Sequence, residues 1–481
     1  MKAGTKPKSA GIPAKAPAAE TASSVFAALF GLVLSIGILK FGNPVIFEHA
    51  NEPPADLVEW IINGWPVAWS YWLLGAVAIL GVCVARWKTH VPHWVAALPL
   101  IWLGWQLAAA SRTVDPRLTF NSLREFTACV VCFYLGLFSL GRAKRTGFFW
   151  AGLATGFVLV LFSGFLQHFG GLEQTRRYFF LYMYPRLRET HPEYLAEGYL
   201  KKMSSDRIFA TLFYPNTLAG VILLLLPATL GVIWSLQRQM TAGARTLLAS
   251  LVGGAGLACL YWSGSKGGWL LMLIVVFVAA LFQPFQRKLK LILIVGVLTL
   301  GLAGFCWKYS GFFKKGAPSV GARFDYWRAA LQTASDHPVF GTGPGTFGIA
   351  YKKIKKPESE MALLAHNDYL EQASDSGWPG FMFYSAMLVA ALLIPWRRGV
   401  LQSSRVNLAV WLGLLGWALQ GLVEFGLFIP ALAWPAFSLL GWLLGQPANE
   451  FTETVRSHKL QANEAPVSQR PKPESSRPAG T

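Results

Sequence analysis

His366 is the side chain in this sequence best placed to move a proton. An imidazole titrates nearest to neutral pH, so it can take the proton of a hydroxyl; a lone histidine is also often structural. His366 opens the stretch Ala365-His366-Asn367-Asp368-Tyr369-Leu370, just ahead of a helical pattern. Cations gather in two segments between apolar runs. Segment 169–208 carries seven Lys or Arg, Arg207 among them, and segment 307–377 carries nine, including Lys308, Arg323 and Arg328. Such cations fit an anionic ligand, and they fit the phosphates of surrounding lipid as well. Residues 320–335 have helical spacing, with Phe324, Trp327, Ala330 and Leu331 on one apolar face and Asp336-His337-Pro338 as a stop. That pattern describes an amphipathic helix on a membrane surface, on which Arg323 and Arg328 could simply snorkel. Gly341-Thr342-Gly343-Pro344-Gly345 is glycine-rich but lacks the Gly-Lys-Ser/Thr ending of a phosphate loop, so it reads as a tight turn.

The elements that must position these residues are apolar. Of the 481 residues, 53% are hydrophobic and only 14% charged, against roughly 25% charged in a soluble domain. Five Cys exclude a disulfide scaffold. Twelve runs approach the length needed to cross a bilayer: 24–42, 66–85, 92–110, 120–140, 147–168, 209–235, 246–262, 267–283, 289–306, 378–396, 406–424 and 427–445. The expected fold is therefore an all-α polytopic bundle. Short connections rich in Lys and Arg, such as Arg142/Lys144/Arg145 and Arg397/Arg398/Arg405, alternate with cation-poor ones. The positive-inside rule then puts both tails in the cytoplasm and segments 169–208 and 307–377 outside. The net charge of +19 thus reflects topology and gives no reason to expect nucleic acid. Cys129-x-x-Cys132 lies within a run, which argues against zinc or redox work. Arg124-Glu125 reads as a buried pair, and Glu424, at the outer end of the eleventh run, as a functional or helix-packing acid.

His366-Asn367, nine residues, then Gly377-x-x-Gly380 resembles the outer-loop motif of the O-antigen ligase family, whose superfamily includes O-antigen polymerases and protein O-oligosaccharyltransferases. Arg323-x-x-x-Trp327-x-x-Ala330 and His337-Pro338-x-x-Gly341-x-Gly343-x-Gly345-x-Phe347 resemble the loop that precedes it. Arg207 followed by Tyr214-Pro215-Asn216-x-x-Ala219 resembles the family's approach to a membrane span. Ser265-Lys266-Gly267-Gly268 stands where relatives have Ser-Arg-Gly, and its Lys keeps the charge but lacks the two-pronged fork. The resemblance covers about 200–445.

The resemblance implies transfer of a glycan from undecaprenyl pyrophosphate to an acceptor hydroxyl, with inversion, at the periplasmic face of a bacterial inner membrane. A lipid A core acceptor would make this a step of lipopolysaccharide biosynthesis. A growing polysaccharide or a protein are the other acceptors, and a lipid-linked sugar transporter is the reading from outside the enzyme class. It implies catalytic roles for His366 as base and for Arg207 and Arg323 at the leaving pyrophosphate. Asn367, Arg328, Lys266, Tyr214 and Asn216 are the expected substrate-binding residues. No metal and no cofactor are expected. The implied division is a basic tail, 1–23; nine spans with an outer loop at 169–208, over 24–306; a catalytic loop, 307–377; three spans, 378–445; and a polar tail, 446–481.

Overall fold

Helices account for every regular element among the described residues of the computed structural model, which are 16–50, 53–190, 200, 204–212, 214–314 and 317–447. The tails at 1–15 and 448–481, and His191, Lys201 and Lys202, lie outside them. The helices that matter are α1 (Ala16–Lys40), α2 (Val67–Val84), α3 (His93–Ala109), α4 (Pro116–Tyr134), α5 (Gly147–Leu166), α6 (Pro215–Ser235) and α7 (Ala242–Ser263). They are followed by α8 (Lys266–Leu281), α9 (Arg287–Lys314), α10 (Pro318–Asp336), α11 (Phe347–Ile354), α12 (Asp368–Arg397), α13 (Arg405–Gln420) and α14 (Pro430–Leu444).

Each expected apolar run forms a helix, but nine of the described helices are long and apolar enough to cross a membrane. The other three runs form α8, α13 and α14, of 16, 16 and 15 residues. At 1.5 Å per residue these span about 24 Å, short of the roughly 30 Å hydrocarbon core. The expected boundary at 306 also shifts, because α9 continues unbroken to Lys314 and carries Lys308 on its last turns.

α6 and α14 lie at the centre and are buried along most of their length. Small residues let their neighbours approach, as is usual where helices pack without a hydrophobic gradient. A Cβ on Gly413 of α13 would sit 2.1 Å from the Leu224 carbonyl oxygen of α6. One on Gly441 of α14 would sit 1.9 Å from that of Phe133. By contrast, α9 is almost wholly uncovered, with Leu291, Ile292, Val295 and Leu300 exposed.

The segment between α9 and α12 is ordered by glycine turns. Gly341, Gly343 and Gly345 all have positive φ, which bears out the tight turn. The Gly345 amide donates to Asp375 Oδ2 at 2.6 Å, and the Gly343 amide to the Asp375 carbonyl at 2.8 Å. Helix α10 forms where expected, and a face of small residues packs inward. Tyr326, Ala329, Ala330 and Ala334 are buried, whereas Phe324 and Leu331 are 61% and 41% exposed. The small side chains let α10 pack closely against α12, and the larger ones are left outside.

Gly377 breaks α12. Its φ of 70° and ψ of −179° belong to a region open essentially to glycine alone, and a Cβ there would lie 2.2 Å from the Val339 carbonyl oxygen. This turn separates Asp368–Asp375, packed against the glycine turns, from the span that follows. Gly377→Ala should therefore destabilise the protein by about 1–3 kcal/mol or more, read as a lower melting temperature of the detergent-solubilised chain; an unchanged melting temperature would show that the break is dispensable.

Candidate functional site

Glu424 is the only charged residue between Arg405 and Glu450. It sits in the connection between α13 and α14, and its position is fixed from α12. The Asp368 amide donates to the carbonyls of Gly421 (2.7 Å) and Glu424 (3.2 Å), while the Asp368 carboxylate accepts from the Leu427 amide at 3.2 Å. The residue two places after His366 thus straps down the loop that carries Glu424.

Three partners converge on the Glu424 carboxylate. His366 Nδ1 lies 3.2 Å from Oε2. The Arg323 guanidinium forms a salt bridge to Oε1, and Asn216 Nδ2 donates to Oε1 at 2.6 Å. Asn216 relays the contact further, since its Oδ1 accepts from an Arg207 guanidinium nitrogen at 2.7 Å. Arg207 is held from the other side by the Ser263 carbonyl, 2.7 Å from Nε. That carbonyl is presented by the α7–α8 turn, where Gly264 adopts φ 62°. Arg323 uses its remaining nitrogens on the carbonyls of Val423 (3.1 Å) and Ser319 (3.2 Å). Arg207, Arg323, His366 and Asn216 therefore meet at one end of the bundle.

The electrostatics follow from this crowding. Burial alone would raise the Glu424 carboxyl. Arg323 and then His366 reverse that and hold it down at about 2. Burial pulls the Arg207 guanidinium down, and Glu424 opposes the change. An ionised carboxylate can only accept a hydrogen bond. The neutral imidazole must then carry its proton on Nδ1, leaving Nε2 as the basic nitrogen.

His366 itself has φ 51°, the left-handed region that costs a non-glycine residue about 1–3 kcal/mol. Its ring is held between Tyr326, stacked at 5.7 Å, and Phe425, edge-on at 4.7 Å. The next residue, Asn367, caps α12, with its side-chain oxygen accepting from the amides of Tyr369 and Leu370 at 3.0 Å each. The strained backbone turns the imidazole towards Glu424 just before the helix begins.

The remaining expected residues take different places. Tyr214 packs edge-on against Phe425 at 5.5 Å, beside the cluster. Lys266 starts α8, with its ammonium 3.9 Å and 5.2 Å from the ring centroids of Phe312 and Tyr309. Asn367 commits its oxygen to the cap. Arg328 is not brought in: it lines a shallow recess with Asp325, Lys355 and Lys356 on another face of α10. Glu125 is buried and accepts from Trp434 Nε1 at 3.2 Å, while Arg124 lies over the rings of Tyr71 and Phe120. A cavity of about 800 Å³ lies elsewhere, lined by Trp150, Thr229, Leu236, Val252, Asn407 and Trp442, at the ends of α6 and α13 away from the cluster. Glu424 is the functional residue that sequence reasoning did not commit to; its signal was a lone acid in a long apolar tract.

These features define a multi-pass helical membrane protein with a cation-rich, histidine-bearing site at one end of its bundle. Residues 248–385 match the family model described as O-antigen ligase. The matched stretch includes Lys266, Arg323 and His366, while Arg207 and Glu424 reach the site from outside it. The chain is also 28% identical over 156 residues to an uncharacterized protein of Haemophilus influenzae, a match covering 28% of this chain and 38% of that protein. The chain thus spans well under two thirds of that relative's length.

Two variants test the cluster. His366→Asn should accumulate normally, because Asn tolerates the left-handed backbone, yet lose the cluster's chemistry; retained activity would make the imidazole structural. Glu424→Gln leaves buried cations uncompensated and should cost about 3–5 kcal/mol. A carboxyl depressed from 4.5 to about 2 stabilises the fold above its ordinary range, and that stability is lost as pH falls through this window. The wild-type melting temperature should accordingly fall between pH 4.5 and 2 more steeply than that of Glu424→Gln; parallel slopes would remove Glu424 from the balance.

Proposed function

We propose that the chain transfers a glycan from undecaprenyl pyrophosphate to an acceptor hydroxyl at the periplasmic face of the inner membrane, with the lipid A core as acceptor. The observation that carries this reading is the convergence of His366, Arg207 and Arg323 on Glu424, in a chain with an O-antigen ligase domain.

In this reading the acceptor hydroxyl gives its proton to His366 Nε2 as its oxygen attacks the anomeric carbon. General-base help of this kind contributes typically ~10²–10⁴-fold. Glu424, held ionised, stabilises the imidazolium that forms, as the carboxylate of a catalytic triad does. The bond between the anomeric carbon and the pyrophosphate oxygen breaks on the opposite face, which inverts the centre. Charge then grows on phosphate oxygens, where guanidinium groups match the oxygen geometry and stay charged. The alternating cations of the short connections support a periplasmic orientation for this end of the bundle.

The acceptor is tested by extracting glycolipids from a deletion strain. Loss of long glycan on lipid A is the expected result; short chains only, or loss of a modified protein, would redirect the reading to a polymerase or a protein glycosyltransferase. Orientation is tested by cysteine labelling from outside, which should reach position 355 and not position 290; labelling at 290 would invert the topology. The arginine role is tested with a lipid-pyrophosphate donor. Arg323 points three separate nitrogens of a planar fork at three acceptors, whereas an ammonium offers its donors from one nitrogen and cannot match that spread. Arg323→Lys should therefore be impaired, and Arg323→Ala should lose about 10²–10³-fold in rate. Full activity of the Lys variant would reduce Arg323 to a surface anchor.

A further inference from the structure

The last turns of α9 carry two groups that the Glu424 cluster does not use. Tyr309 is 6% exposed, and its hydroxyl has no hydrogen-bond partner among the described residues. Leaving a buried hydroxyl unsatisfied is unfavourable, so a ligand acceptor is the natural complement to it. Two ammonium groups share its ring, Lys266 Nζ at 5.2 Å and Lys308 Nζ at 5.7 Å from the centroid. Lys308 also lies 3.0 Å from the ring centroid of Tyr261 and donates to the Tyr261 carbonyl. Among the described residues neither ammonium forms a salt bridge.

These groups are continuous with the cluster through the α7–α8 turn: the Tyr261 carbonyl takes Lys308, the Ser263 carbonyl takes Arg207, and Lys266 follows three residues later at the start of α8. One end of the bundle therefore gathers four cations, Arg207, Lys266, Lys308 and Arg323, around the Glu424 carboxylate. Glu424 is committed to Arg323, His366 and Asn216. A single phosphate monoanion would leave most of this charge uncompensated, whereas a pyrophosphate diester brings two negative charges on two separated centres.

We infer that Tyr309, Lys308 and Lys266 form a second phosphate subsite, which takes the lipid-side phosphate of a lipid pyrophosphate while Arg207 and Arg323 take the sugar-side phosphate. The inference rests on the reading proposed above. The polarity comes from α9 itself, whose exposed Leu291, Ile292, Val295 and Leu300 offer a hydrocarbon chain an apolar path. A donor lying along α9 puts its tail-proximal phosphate beside Tyr309 and its anomeric carbon towards His366. The Tyr309 hydroxyl donates to a phosphate oxygen, and the two ammonium groups neutralise it.

Binding tests this without requiring turnover. The full chain in lipid nanodiscs is titrated calorimetrically with inorganic pyrophosphate and, separately, with inorganic phosphate. Wild type should favour pyrophosphate. Tyr309→Phe removes one oxygen and Lys308→Met one charge; each should weaken pyrophosphate binding about tenfold or more, the size of a charge-assisted hydrogen bond, and leave phosphate binding unchanged. Lys308→Arg should retain pyrophosphate binding. Unchanged pyrophosphate affinity in both Tyr309→Phe and Lys308→Met, equal weakening for both anions, or no preference in the wild type would each overturn the subsite. The expected binding pattern without transfer from a lipid-pyrophosphate donor would overturn the proposed reaction and keep the pyrophosphate site. Transfer with unaltered binding in the variants would overturn the subsite alone.

Discussion

The buried Glu424 carboxylate draws together the positive charge gathered at one end of this bundle. Desolvation and Coulomb attraction oppose each other at Glu424, and attraction wins, since its carboxyl is held at about 2 despite burial. The outcome depends on geometry. Arg323 binds Glu424 directly, Arg207 reaches it through Asn216, and His366 faces the other carboxylate oxygen. A buried pair of this kind adds little net stability once desolvation is counted, yet removing one partner is severe. Its value here is placement: it fixes two guanidinium groups and an imidazole around one point.

The rest of the fold can be understood as what keeps that point in register. Asp368 ties the start of α12 to the Glu424 loop, and Asn367 caps the same helix. Asp375, two residues before Gly377, binds the glycine turns at 341–345. The break at Gly377 lets this outer half of α12 follow its own direction while the inner half stays in the bundle. Strain at His366 is tolerated because the cap, the strap and two aromatic rings all constrain the same few residues. Backbone strain of this kind persists only where the surroundings over-determine it.

Much of this was legible in the sequence, for definite reasons. The apolar runs marked helices because twenty apolar residues have few other solutions. Positions 341–345 announced a turn through their glycines, and His366, Arg207 and Arg323 were singled out by motif. Four things were not legible. The inward face of α10 follows from which side chains are small enough for close approach to α12, and hydrophobicity alone does not single out Ala329 and Ala334 for it. Asn367 looked like a ligand contact because a cap and a binding residue share the same chemistry. The alliance of Asn216 with Glu424 joins positions 208 residues apart, and no local period encodes it. Tyr309 was hidden, and Lys308 was counted with the outer segment, for a simpler reason: they belong to a helix that runs eight residues past its apolar stretch.

The position of Glu424 in the chain also bears on biosynthesis. Arg207, Lys266, Lys308, Arg323 and His366 all precede it, and it lies between the last two helices. A chain emerging from the ribosome therefore inserts its cations first and its counter-charge last. Until α13 and α14 enter the membrane, the guanidinium groups repel one another, and nothing draws His366 towards them. A chain cut before α13 would keep Arg207, Arg323 and His366 and lack the carboxylate on which they converge.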